Sequence, residues 1–318
     1  MKFMKKIFAI AIALWSCVLS NSWAASNTNM VKANGVTLWT ESFGDKQNPP
    51  ILLIIGAGSQ AILWPDEFCQ KLAKEGFFVI RYDHRDSGKS SAVNYQKNPY
   101  TVMDLAKDAV AVLDYYKIKK ANIVGFSMGG QIAQFLGAYF PSRVSTLTLM
   151  ATSTSFKEGF DAFAGNPVEG LSPPQDFYVK WATRGVDPAK QTEAEKIKDF
   201  VHSWKILNGD KVPFDTMLYT QIAKDSLARS KLTNPYFSHS LAMRASFADH
   251  KRAPGLIKAP TLIIHGSEDP VFGVDHAEAL HDAIADSELV VIDNMGHLLN
   301  THFYDEIIAL IKEQTQKE

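Results

Sequence analysis

Six apolar runs mark the chain, Ile51 to Ile55, Phe77 to Tyr82, Asn122 to Phe126, Ser145 to Met150, Thr261 to His265 and Glu288 to Ile292. None alternates cleanly between apolar and polar positions, which is the pattern of strands covered on both faces in a parallel sheet. Amphipathic helices are predicted between them, near Pro65 to Lys74, Thr101 to Tyr116, Gly129 to Tyr139, Val274 to Ala285 and Phe303 to Lys312. Strand and helix in alternation predict a three-layer α/β sandwich. Asn34 to Phe43 reads as a leading hairpin strand, with Asn34 and Gly35 supplying the turn.

One stretch breaks this rhythm. From Ser153 to about Pro254 no buried strand is visible, and glycine, proline and aromatic residues punctuate short helical segments. It reads as a helical cap, residues 153–254, inserted between core segments 25–152 and 255–318. The cap is rich in aromatic residues, among them Phe156, Phe160, Phe163, Tyr178, Trp181, Phe200 and Trp204. Most are expected to pack the cap's own small core, and some to roof a pocket.

Residues 1–24 read as an address: Lys2, Lys5 and Lys6 precede an apolar run from Ile7 to Leu19, and small residues stand at Ser22 and Ala24. The expectation is a secretory signal peptide cleaved after Ala24, with export to the periplasm or beyond. The run of 13 residues is short of the roughly 20 needed to span a bilayer. A lipoprotein anchored at Cys17 is disfavoured by bulky Trp15 and by apolar Val18 and Leu19. Cleavage would leave Cys69 without a partner for an internal disulfide.

Charge excludes some partners. Across 318 residues, 33 basic side chains face 34 acidic ones, a net charge of −1 that becomes −4 once the three leader lysines are removed. Neither value gives reason to expect nucleic acid or an anionic membrane surface.

Candidate chemistry is concentrated at Gly125-Phe126-Ser127-Met128-Gly129, a G-x-S-x-G pentapeptide that closes one predicted strand and opens a helix. Such a turn pushes the serine hydroxyl clear of the backbone and needs glycine where neighbouring segments approach. A serine hydroxyl is a weak nucleophile, so a base is required, and this architecture orders the chain as serine, acid, histidine. His297 follows the last strand and satisfies that order. Asp269, 28 residues earlier, is the preferred acid because Pro270 shapes a turn that can aim a short side chain back at the sheet; Glu268 is its rival. The oxyanion donors are expected to be the backbone N–H groups of Met128 and Ala57, with Gly56 as the alternative to Ala57.

Two further motifs are set aside. His84-Arg85-Asp86 mimics a kinase catalytic loop and Gly88-Lys89-Ser90 the end of a phosphate-binding loop, yet neither has the companion glycines its chemistry needs. Asp83, Arg85 and Asp86 are instead expected to form a hydrogen-bonded turn bracing the oxyanion loop. No pair of histidines or cysteines shows metal-ligand spacing.

Trp64-Pro65-Asp66-Glu67-Phe68, then Arg81-Tyr82-Asp83-His84-Arg85-Asp86 with Gly88, then the pentapeptide, stand in the order and spacing of a known family. The chain after residue 24 resembles the α/β-hydrolase-fold esterases, in particular the aclacinomycin methylesterase group. That resemblance implies an α/β-hydrolase fold with a mostly parallel sheet and a helical cap. It also implies Ser127, Asp269 and His297 as catalytic residues, Ala57 and Met128 as oxyanion donors, and no cofactor. The chain departs from the group at Gly56-Ala57-Gly58, where the relative has two glycines and an asparagine. Expected function is cleavage of a small, apolar carboxylic ester through an acyl-enzyme. An acyltransferase or a C–C or amide hydrolase using the same triad is the rival chemistry, and a non-catalytic binding protein the rival class.

Overall fold

The computed structural model describes residues 26–229 and 235–317. The expected signal peptide lies outside the described residues. An eight-stranded sheet forms the centre, built from β1 (Asn27–Ala33), β2 (Val36–Phe43), β3 (Pro50–Ile54), β4 (Phe78–Tyr82), β5 (Ala121–Phe126), β6 (Val144–Met150), β7 (Thr261–Gly266) and β8 (Ser287–Ile292), in the spatial order 1-2-4-3-5-6-7-8. β2 pairs antiparallel with β1 and β4, and every other pairing is parallel. The α/β-hydrolase fold expected from the sequence is therefore observed.

Each central strand is buried on both faces because helices cover the sheet from either side. α2 (Val102–Tyr115), α3 (Met128–Tyr139) and α10 (Val274–Ala283) pack one face, where Leu52, Ile80, Ile123, Leu149 and Ile263 point. α1 (Asp66–Lys74) and α11 (Tyr304–Gln314) cover the other, which receives Ile51, Val79, Val124, Met150 and Ile264. Two cores thus share one apolar run per strand, which is why the runs do not alternate in hydropathy. β8, at the edge, is only partly buried, and Val291 on it is exposed.

At the opposite edge lies β1, which the apolar pattern does not reveal. Its sequence Asn27-Thr28-Asn29-Met30-Val31-Lys32-Ala33 is mostly polar, and only Val31 and Ala33 are buried. Pairing with β2 holds it in place, and the turn that permits the pairing is the expected one: Asn34 and Gly35 both have positive φ, 44° and 81°.

The segments around Trp64 and Arg81 are joined by a buried guanidinium. Arg81 donates to the Glu41 carboxylate at 3.0 Å, to Asp66 at 2.5 Å and to the Trp64 carbonyl. The start of α1 is thereby fixed against β2 and β4.

Between β6 and β7 the described residues form helices and no strand: α4 (Lys157–Ala164), α5 (Asp176–Ala182), α6 (Glu193–Asn208), α7 (Thr216–Arg229), α8 (Pro235–Ala245) and α9 (Phe247–Arg252). Among the described residues no helix is long and apolar enough to cross a membrane.

Candidate active site

Loops leaving the carboxyl ends of the parallel strands meet on one side of the sheet, where folds of this type place ligands. Ser127 follows β5 with φ 55° and ψ −121°, a conformation a non-glycine residue rarely adopts. Its N–H donates to the Met150 carbonyl at 2.9 Å, while its own carbonyl accepts from Gly130 N–H and the Thr152 hydroxyl, both at 2.8 Å. Glycine is needed around this turn: a Cβ on Gly125 would run into the Gly129 carbonyl, and one on Gly129 into the Ile54 carbonyl. The backbone is thus held by groups other than the hydroxyl, which is left facing a cavity.

Asp269 and His297 arrive from the loops after β7 and β8. The His297 Nδ1–H donates to Asp269 Oδ2 at 2.7 Å, and Asp269 Oδ1 accepts the N–H groups of Val271 and Phe272 at 2.8 and 2.9 Å. Burial works to raise the Asp269 carboxyl, but the His297 imidazole and these donors outweigh it and hold the group below the usual carboxylate range. With Nδ1 committed to the carboxylate, Nε2 is the imidazole nitrogen left to accept a proton. Glu268, the rival acid, is only partly buried and lines a separate cleft with Phe177 and Lys205. The insertion helps place the histidine: His297 N–H donates to the Leu207 carbonyl at 2.8 Å, and the approach is so close that a Cβ on Gly296 would strike the Leu207 and Asn208 carbonyls.

Ser127 and His297 line the same cavity of about 330 Å³. No direct hydrogen bond joins the Ser127 hydroxyl to the imidazole among the described residues; both groups face the same space. Met128 is the first residue of α3, so its N–H has no partner within the helix. Ala57 lies across the cavity in the loop after β3, and among the described residues its N–H meets no acceptor. Gly56, the alternative donor, sits so near the serine that a Cβ on it would lie 3.1 Å from Ser127 Cβ.

The turn after β4 braces that loop, but of the three residues expected to do so only Asp83 takes part: Asp86 accepts from the Tyr100 hydroxyl at 2.7 Å and Arg85 pairs with Asp108, while Ser87 and His84 supply the other contacts. Asp83 accepts the Ala61 N–H at 2.8 Å, the Ser87 hydroxyl donates to the Ser59 carbonyl at 2.5 Å, and His84 Nε2–H donates to the Ile55 carbonyl at 2.9 Å. Arg85 is not free to reach the cavity, being clamped by Asp108 through two bonds of 2.7 Å. Among the described residues no cluster of three histidine, cysteine or acidic side chains is placed to hold a metal ion.

Burial pushes the His84 imidazole down to about 3, helped by the neighbouring His239. The unfolded chain binds that proton near pH 6.5, so stability is fully present above that value and falls as pH drops toward 3. At pH 5 this one group is expected to cost about 2 kcal/mol relative to pH 7. Denaturant titrations at the two pH values should show the fall, and it should shrink in His84→Gln; equal falls would exclude His84 as its source.

Some contacts beside the cavity are not visible in the sequence. Gln60 lines the cavity, donates to the Ser226 carbonyl at 2.8 Å and accepts from Arg229 at 3.1 Å, while Arg229 also pairs with Asp83 at 2.7 Å. These contacts join α7 to the loop after β3, and no periodicity or motif announces them.

With this geometry in place, comparison with known proteins identifies the class. A family model described as the alpha/beta hydrolase fold matches residues 49–301. The chain belongs to that family. Rhodomycin D methylesterase DnrP from Streptomyces peucetius is 36% identical over 299 residues, spanning 91% of this chain and 98% of the relative. Within the family this chain is an enzyme of the carboxylic ester hydrolase branch, to which the methylesterase belongs. More distant is 3-oxoadipate enol-lactonase 2 from Acinetobacter baylyi, at 26% identity over 84% of this chain and 89% of the relative. An enol-lactonase from Burkholderia xenovorans LB400 shares the fold, with TM-score 0.71 and 23% identity over 91% of this chain and all of the other.

Proposed function

We propose that this protein cleaves a small, uncharged carboxylic ester by two-step acyl transfer from Ser127. Unprotonated Nε2 of His297 removes the hydroxyl proton as Ser127 Oγ bonds to the ester carbonyl carbon. Asp269 keeps the proton on Nδ1 and stabilises the imidazolium that results. The carbonyl oxygen, now an oxyanion, is held by the Met128 and Ala57 N–H groups. As the C–O bond breaks, the imidazolium returns its proton to the departing alkoxide, which leaves as the alcohol. Water then repeats the sequence on the acyl-enzyme and releases the acid.

The single observation carrying this reading is the convergence of Ser127, on a strained turn, with a buried His297–Asp269 pair at one cavity. The cavity walls support the substrate class. Phe156, Phe160, Tyr178, Trp181, Trp204 and Phe272 contribute rings, and among the described lining residues there is no lysine, arginine, aspartate or glutamate. A carboxylate carried into such walls would lose water and gain no countercharge, a cost of several kcal/mol.

The test pairs p-nitrophenyl butyrate with the mono-p-nitrophenyl ester of succinate, which carries a carboxylate at similar length. The neutral ester is expected to turn over, with kcat/KM at least about 10-fold above the charged one. Equal values would overturn the uncharged-substrate reading, and no turnover of neutral esters of any acyl length would overturn ester cleavage from Ser127.

A further inference from the structure

Ala57 sits in a loop with little stiffness of its own. Gly56 and Gly58 flank it, and Gly58 has φ +70°; within the loop the peptide planes on either side of Ala57 are restrained by one long bond, from the Ser59 N–H to the Gly56 carbonyl at 3.3 Å, so they can turn at low cost unless other groups hold them. The core holds Ile55, Ser59 and Ala61, as described above. Gly58 is held from elsewhere: its N–H donates at 2.9 Å to Nδ1 of His239, on α8 of the helical insertion.

That histidine is built to accept. It is fully buried, its Nε2–H donates to the Arg85 carbonyl at 2.8 Å, and this bond leaves the Nδ1 lone pair for Gly58. Burial lowers the His239 imidazole from its usual value, opposed by the Arg85 carbonyl and Asp86, which keeps the accepting nitrogen unprotonated. Its ring stands edge-on to His84, with centroids 5.6 Å apart, and His84 in turn grips Ile55. Two imidazoles packed edge to face thus hold the loop on either side of Gly56 and Ala57. Tyr236, one turn earlier on α8, lies against Gly58 so closely that a Cβ there would meet it.

We propose that His239 is a positioning residue for the oxyanion loop: by accepting the Gly58 N–H it fixes the peptide plane next to Ala57 and aims the Ala57 N–H at the substrate oxygen. The helical insertion then roofs the cavity and also completes the catalytic geometry of the core. This inference rests on the ester-cleaving reading above.

The test compares His239→Phe, which can neither accept nor donate, with His239→Gln, whose amide oxygen can accept from Gly58 while its NH₂ donates to Arg85. Both are assayed in the full chain with p-nitrophenyl butyrate, with kcat expressed per site titrated by a fluorophosphonate so that unfolded protein is not counted. Losing an oxyanion donor outright costs about 10²–10³-fold, so misaiming one is expected to lower kcat of the Phe variant by about 10-fold or more, with KM changed less than about 3-fold. The Gln variant is expected to recover most of that loss. Should the Phe variant not fold, His239→Asn, too short to span both partners, carries the same expectation. An unchanged kcat, a change confined to KM, or a Gln variant no better than Phe would overturn the proposal. Loss of activity in Ser127→Ala keeps the esterase reading in place whichever way His239 behaves, so the two can fail separately.

Discussion

Replacing Ser127 with alanine is expected to lower kcat for a p-nitrophenyl ester by about 10⁴-fold or more, the loss seen when the nucleophile of such a triad is removed. Stability should hardly move. The strained φ of 55° is kept by the Met150 carbonyl, by Gly130 and Thr152, and by the close glycines, none of which uses the hydroxyl. A fluorophosphonate should label the wild-type chain on the peptide containing Ser127 and leave the variant unlabelled. Activity within about 10-fold of wild type in a correctly folded variant would place the nucleophile elsewhere.

Asp269→Asn is expected to cost about 10⁴-fold in kcat while leaving the fold intact. The amide oxygen can still accept the Val271 and Phe272 N–H groups. Toward His297, however, an NH₂ would replace the carboxylate oxygen now 2.7 Å from Nδ1. Nδ1 would then have to accept, the ring proton would move to Nε2, and the nitrogen needed to deprotonate Ser127 would already carry a hydrogen. Glu268→Gln, on a side chain that lines a different cleft, serves as the matched control and should leave kcat near wild type. A fall of less than about 10-fold in Asp269→Asn, or an equal fall in the control, would remove Asp269 from the mechanism.

Core strands were legible because burial on both faces demands unbroken apolar runs such as Ile51-Leu52-Leu53-Ile54, and glycine and asparagine mark the turns between elements. β1 was hidden for the complementary reason: as an edge strand with one covered face it needs only Val31 and Ala33 to be apolar. Asp83 to Gly88 illustrates a motif placed by strand pairing: β3 and β4 lie side by side, so the turns that follow them are neighbours, and the bonds to Ala61 and Ser59, 22 and 28 residues away, follow from that pairing. His239 is the opposite case. It stands 181 residues from Gly58, and with an imidazole lone pair as its whole contribution it looks in sequence like any other helical histidine.

What the linear chain determined here is everything encoded in adjacency and order: the sheet, the serine on its glycine turn, the acid and imidazole following in sequence, and a helical segment inserted before the last two strands. Tertiary structure alone decided which groups meet across that insertion, because hydrogen bonds such as His239 to Gly58, Arg229 to Asp83 and Leu207 to His297 are set by angle and distance in space. Residue type constrains those contacts weakly, since many side chains can donate or accept. Folding brings one of them to the required 3 Å or so and excludes water from it.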